Sequence, residues 1–240
     1  MKNITKIYIL FQILMATISG YSQNDEARSL LKKVNDFYKN QTVYQIDMNF
    51  KMYQGLTGDK ITELYEGKVF RKDSIARLNM ANSELLQIGK DQIAIDHDQK
   101  LIVFRKAPIN SILTSVIDVS TFMEIYETSS IKNFEDTIRL ELISKKDKTS
   151  SPFAKIVLFI DKSSYEMVKQ EMIFTNQMPF KNEKGNIKAD FGRLHTEMKL
   201  NKNIDDQSIL SFDHYFNKDK DGKVLLQPAY KEYEIIEESE

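Results

Sequence analysis

Three histidines are the first residues to test for chemistry, because imidazole serves both metal ligation and proton transfer near neutral pH. His97, His195 and His214 stand far apart and form no HxxxH, HExxH or HxH pair, so each reads as a turn or surface residue. With no cysteine in the chain, thiolate zinc sites, cysteine nucleophiles, iron–sulfur clusters and disulfide scaffolds are excluded together. No Gly-x-Ser-x-Gly elbow, phosphate-binding loop or dinucleotide fingerprint occurs among the eight glycines. The run Asn217-Lys-Asp219-Lys-Asp221-Gly222 imitates the start of a calcium loop, but its twelfth position is Pro228, where a bidentate glutamate is required. A hairpin turn is the simpler reading. Carboxylate pairs such as Glu63 with Glu66 and Asp205 with Asp206 have spacings that charged turns produce constantly, and Asn40-Gln-Thr42 is a formal glycosylation sequon. The expectation is a protein that is not an enzyme, with no metal and no cofactor.

The side chains that do stand out are apolar. Ten methionines, fourteen phenylalanines and eleven tyrosines, with no tryptophan, make a plastic apolar surface of the kind that accommodates variable hydrophobic partners. Tyr44, Ile46, Met48, Phe50 and Met52 alternate with Gln45, Asp47, Asn49 and Lys51, which predicts a strand with one apolar and one wetted face. The plain alternative is an ordinary sheet core beneath a helix.

The elements that must position these residues follow from the periodicity. Met1 to Ser22 has Lys2 and Lys6, an apolar run from Ile7 to Ile18, and the small residues Gly20 and Ser22. It reads as a secretory signal peptide, with a retained membrane anchor as the alternative; the run is shorter than a spanning helix needs. The mature chain, 23–240, is expected to be one soluble periplasmic domain. Residues 24–39 place Ala27, Leu30, Leu31, Val34, Phe37 and Tyr38 at helical spacing. Short alternating stretches follow at 61–70, 75–80, 84–88, 92–96 and 101–104, with turn residues between them, then a helical insert at about 108–126 opened by Pro108. Strands resume at 137–144, 154–161, 166–175, 187–200 and 209–216, 224–236 is compatible with another strand or two, and the extension from about 217 to 240 has an acidic, solvated end. The 240 residues carry 34 basic and 35 acidic groups, a net charge of −1, which gives no electrostatic footprint for nucleic acid. The fold class is α+β, mainly β: a single long curved antiparallel sheet with an N-terminal helix.

The order of these parts resembles the LolA family of periplasmic outer-membrane lipoprotein carriers. The resemblance rests on the helix with Leu30-Leu31-Lys-Lys-Val34, the strand ending Phe50-Lys-Met52, and the stretches Glu66-Gly-Lys-Val-Phe-Arg-Lys72 and Glu84 to Asp96. The proline-led insert and the late Ile204-Asp-Asp206 before Ser211-Phe212 complete it. The missing lipidation cysteine matches the soluble LolA type rather than the anchored LolB type. The resemblance implies an incomplete β-barrel whose concave face, closed by a helical lid, holds acyl chains. Tyr44, Met48, Phe50, Met52, Val69, Leu78, Met80 and Ile95 would line it; Ile112, Leu113, Val116 and Phe122 would form the inner face of the lid. In the family an arginine latches the lid. Arg71 is the candidate here, and a solvated strand-end charge is the alternative. The implied partners are acylated lipoproteins or other lipid, an inner-membrane release complex and an outer-membrane acceptor, with the carrier a monomer. A competing reading is an envelope assembly or binding module that holds a protein segment or another hydrophobic ligand on the same sheet.

Overall fold

The computed structural model describes residues 23–106, 119, 122–146, 151–182, 184–204, 207–218, 220 and 224–237. The segment 1–22 read as a signal peptide, the predicted lid residues Ile112, Leu113 and Val116, and half of the calcium-like run lie outside them. Helix α1 covers residues 23–39. The strands are β1 (Val43–Gln54), β2 (Ile61–Lys72), β3 (Ile75–Met80), β4 (Ser83–Ile88), β5 (Asp91–Asp96) and β6 (Leu101–Lys106). After one helical turn, α2 (Phe122–Ile125), come β7 (Tyr126–Asn133), β8 (Thr137–Ser144), β9 (Phe153–Asp161), β10 (Met167–Lys181) and β11 (Ile187–Asn201). Short strands β12 (Phe216–Lys218), β13 (Val224–Leu226) and β14 (Glu234–Glu237) close the chain. Twelve strands hydrogen-bond in the linear order β14-β6-β5-β4-β3-β2-β1-β11-β10-β9-β8-β7. Among the described residues the two end strands are not neighbours, so the ladder is open and forms no closed barrel. One pairing departs from the antiparallel expectation: β14 runs parallel to β6, with Glu234 opposite Leu101 and Glu237 opposite Phe104, which makes the sheet mixed.

By its internal contacts the chain forms two compact units. The first comprises Met1–Tyr38, Gln54–Gly58 and Val119–Leu194. Its strands β7 to β10 pair antiparallel in sequence order. Leu140, Leu142, Ile156, Leu158 and Ile160 are buried on one face of the ladder, and in α1 the buried residues Ala27, Leu30, Leu31, Val34 and Tyr38 recur at the helical period. Hydrogen bonds fasten the helix to this unit. The Tyr38 hydroxyl accepts from Met167 N at 3.1 Å, while Asn35 Oδ1 accepts from Val119 N and Asn24 Oδ1 from Thr128 N. The other face of the ladder carries an ion-pair network beside Val157 and Phe159, with Glu141 accepting from both Arg139 and Lys155.

The turn from β9 to β10 is built around Asp161, whose Oδ1 accepts from the Ser163 and Ser164 amides and hydroxyls at 2.6–3.0 Å. The Ser163 hydroxyl first, then the Ser164 amide and hydroxyl, hold this carboxyl down to about 2. Because the folded value lies below the unfolded one, the turn's contribution to stability is complete above the ordinary aspartate range and is lost as pH falls toward 2. Ser163→Ala with Ser164→Ala is expected to return the Asp161 midpoint toward the usual aspartate value in a carboxyl-carbon NMR titration; an unmoved midpoint would refute this account of the turn.

The second unit comprises Lys39–Tyr53, Asp59–Asp118 and His195–Glu240. Strands β1 to β6 form an antiparallel meander in unbroken register from β2 onward. The expected strand at 209–216 is instead two 3-10 turns, Ser208–Leu210 and Phe212–His214, followed by β12. The Ser211 hydroxyl caps the second by accepting from Asp213 N, and the turns aim Phe212, Tyr215 and Phe216 into a common cluster instead of alternating them across a strand. The stretch 224–236 does hold two short strands, β13 and β14, and Leu226, Tyr230 and Tyr233 in addition pack into a core.

Candidate functional site

Register decides which side chains meet. Residues directly opposite one another on neighbouring strands share a face of the sheet. On one face of the second unit, Ile46, Val69, Leu78, Leu85, Ala94, Val103 and Ile236 form a single row running across seven strands. The next row holds Met48, Gly67, Met80, Ser83, Asp96, Leu101 and Glu234. The row on the other side holds Tyr44, Arg71, Ala76, Gln87, Gln92 and Arg105. An apolar stripe thus lies between a mixed row and a polar one.

Burial grades along the stripe. Ile46 and Val69 are fully buried, Leu78, Leu85, Ala94 and Val103 are half-buried, and Ile236 is 41% exposed. Over the half-buried stretch lies an open groove of 330 Å³ walled by Leu78, Met80, Leu85, Ala94, Leu101 and Val103, with Ser83 and Asp96 at its rim. Its size falls in the range of small-ligand pockets, and its lining is apolar with few polar groups, which suits a hydrocarbon chain.

The opposite face of the same strands is sealed. Leu86, Ile93, Ile95 and Ile102 pack there with Tyr215, Phe216 and Tyr230 of the C-terminal segment, and Phe70 packs with Ile204 and Leu210. A buried charge cluster ties this layer together. Arg77 Nη2 lies 2.7 Å from Glu84 Oε2, the Tyr215 hydroxyl donates to the same oxygen at 2.8 Å, and His97 Nε2 is 3.0 Å from Glu84 Oε1. His97 Nδ1 in turn bonds the Tyr233 hydroxyl at 2.8 Å. Burial pushes the Glu84 carboxyl up, but Arg77, Tyr215 and His97 outweigh it and hold the group below the usual carboxylate range. Burial and the Glu84 charge push the Tyr215 phenol far up, so it remains a donor.

Of the sequence-predicted lining residues, the structure places Tyr44, Met48, Phe50, Met52, Val69, Leu78 and Met80 on the groove's face, and Leu78 and Met80 in its wall. Tyr44, Met48, Met52 and Val69 are buried. Phe50 stacks on Tyr65 with ring centroids 5.1 Å apart, and both Phe50 and Met48 lie over Gly67, where an added Cβ would come within 3.0 Å of the Phe50 ring. Ile95 also lines the groove, but from the far side of its strand. Its partners Glu84 and Ile102 put its side chain on the sealed face, one residue out of phase with Ala94. Leu85, Ala94, Leu101 and Val103 are groove residues the sequence reading did not name.

Arg71 stands in the polar row and donates from Nε to the Asp73 carbonyl at 3.1 Å, across a turn in which Asp73 takes a φ of 52°. Its guanidinium also lies 6.0 Å from the Tyr44 ring centre; burial raises the Tyr44 phenol, and Arg71 opposes that rise. Phe122, the one predicted lid residue among those described, belongs to the first unit and packs against Tyr126 at 6.0 Å. The three histidines serve packing: His97 in the Glu84 cluster, His195 against Tyr53 at 4.5 Å, and His214 edge-on to Tyr215 at 4.9 Å. Among the described residues no helix is long and apolar enough to cross a membrane.

No protein-family model and no curated protein sequence matches the chain. Solved structures similar to this chain include three with TM-scores below 0.5. An uncharacterized conserved protein from Thermus thermophilus is 11% identical over 89% of this chain and 99% of that one, with a TM-score of 0.47. A LolA superfamily protein from Nitrosomonas europaea is 15% identical over 78% and 98%, with a TM-score of 0.36. The lipoprotein LppX of Mycobacterium tuberculosis is 10% identical over 76% and 98%, with a TM-score of 0.41.

Proposed function

We propose that this chain is an exported lipid carrier that holds acyl chains in the apolar groove and ferries lipoproteins through the periplasm toward the outer membrane. One observation carries the reading. The half-buried row Leu78, Leu85, Ala94 and Val103 lies open on one face of strands whose other face is packed against the chain's own C-terminal segment. A sheet that needed only a core already has one on the sealed side, so the open apolar row is surface left for a ligand. The LolA-like layout of the sequence supports the same reading. Binding makes and breaks no bond. An acyl chain gains about 0.8 kcal/mol for each methylene taken out of water, and release follows when a second state of the protein, or an acceptor, offers more.

Purified mature protein is expected to retain diacyl or triacyl lipid in native mass spectrometry, or to take up a fluorescent fatty acid if isolated empty. Neither bound lipid nor uptake would defeat the carrier reading. Photo-crosslinking from position 80, where Met80 is 38% exposed in the groove wall, identifies the cargo in cells. Acylated lipoproteins support ferrying, whereas a single unacylated protein would move the assignment to an assembly module.

A further inference from the structure

We infer that the groove takes a single extended acyl chain of about sixteen carbons, lying across the strands, and that Ile236 sets this length; the inference rests on the acyl-carrier reading above. The apolar row is bounded on one side by Gln87 and Gln92; on the other it meets Ser83 and Asp96 over β4 and β5, while Met80 and Leu101 widen it at β3 and β6. It is therefore narrowest in its middle, where it offers a track one residue wide. Its accessible part starts at Leu78, because Val69, the preceding member, is fully buried, and continues over Leu85, Ala94 and Val103 to Ile236.

Five adjacent strands at about 4.8 Å spacing give a track of about 19 Å. An extended chain advances about 1.2 Å per bond, so the track matches about sixteen carbon–carbon bonds. The last strand spacing, from Val103 to Ile236, is worth about four of them. It exists only because the C-terminal strand adds in parallel to β6. That strand is short, and its seating depends on what precedes it: the Tyr233 hydroxyl bonded to His97, Glu232 paired with Lys100 at 2.5 Å, and the Glu234 amide donating to the Lys100 carbonyl at 2.9 Å. The same segment that seals one face of the sheet thus lengthens the track on the other.

Fatty acids of ten to eighteen carbons, titrated against the full mature chain by displacement of a fluorescent fatty acid, test this. Affinity is expected to rise about fourfold per methylene up to about sixteen carbons and then level off. Ile236→Asn, at a site already 41% exposed, is expected to bring the plateau down to about twelve carbons while leaving the shorter acids unchanged, and Ile236→Met to restore it. Should the Asn variant unseat β14, seen as faster hydrogen exchange of the β6 amides, the plateau must still fall to about twelve. An unchanged plateau, or an equal loss at every length, overturns the assignment of Ile236 while the groove itself stands. No displacement by any acid in the parent protein overturns the carrier reading, and the length assignment with it.

Discussion

Arg77→Met is expected to destabilise the second unit by about 3–5 kcal/mol, the usual cost of stripping one partner from a buried ion pair. The Arg77 and Glu84 side chains are only 8% and 9% exposed, so the carboxylate left behind cannot recover its lost partner from water. Two further groups depend on it, because Tyr215 and His97 both bond the same carboxylate and Tyr233 hangs from His97. Loss of the pair should loosen the whole C-terminal layer. Urea unfolding followed by near-ultraviolet circular dichroism of the tyrosines reads it directly. Arg77→Met combined with Glu84→Leu is expected to recover a substantial part of the loss, since two apolar groups replace two charges. A single variant within about 0.5 kcal/mol of the parent would sink the claim. The same geometry fixes a pH dependence. With the Glu84 carboxyl held below its unfolded value, its stabilisation is complete above the ordinary glutamate range and disappears as pH falls through the lowered value. Acid should therefore release the C-terminal layer, and Glu84→Gln should remove that acid step.

Much of this architecture was legible in the sequence, and the failures have physical causes. Strand β1 alternates cleanly because one face is wetted, and β8 because one face carries the ion-paired Arg139 and Glu141, so period two exposes both. In β5 and β6 the alternation vanishes: Ile93-Ala-Ile95 and Leu101-Ile-Val-Phe104 are apolar on both faces, one facing the C-terminal layer and the other the groove. Where both faces are apolar, size misleads. Ile95 is the larger side chain and Ala94 the smaller, yet Ala94 faces the groove. Only the register, anchored by the turn at Gly89 with its φ of 61°, settles the phase. Strand β7 was hidden for the opposite reason. Glu127, Thr128, Ser129 and Ser130 carry almost no hydrophobic signal, and the strand forms because its backbone completes the β8 ladder. The packing of the C-terminal layer was not legible because Phe212 and Tyr230 sit in 3-10 turns and Tyr215 at the end of one, and this irregular spacing matches neither period.

Leu85→Glu is expected to weaken acyl binding by roughly a hundredfold while leaving the fold intact. Leu85 stands in the middle of the apolar row, between Leu78 and Ala94. A carboxylate there interrupts the track over about one strand spacing, and four methylenes at about 0.8 kcal/mol each amount to about 3 kcal/mol. A bound chain would in addition have to desolvate the charge, so the loss has no compensating gain. In the free protein Leu85 is half-buried at an open groove, and a glutamate can turn its carboxylate to water, so the circular-dichroism spectrum and urea midpoint should change little. The neighbouring residue gives the contrast. Leu86 is 1% exposed on the sealed face beside Ile93 and Tyr215, and Leu86→Glu buries a second carboxylate opposite an Arg77 that is already paired with Glu84. That variant should lose the second unit altogether. Adjacent residues on one strand thus separate binding from folding, because successive side chains point to opposite faces. If Leu85→Glu unfolds the protein, or takes up a fluorescent fatty acid as well as the parent, the groove is not the acyl site. By the same logic Phe50→Glu is a poor test of binding: Phe50 lies outside the groove wall and stacks on Tyr65 over Gly67, so its loss would register first as damage to the packing of β1 on β2.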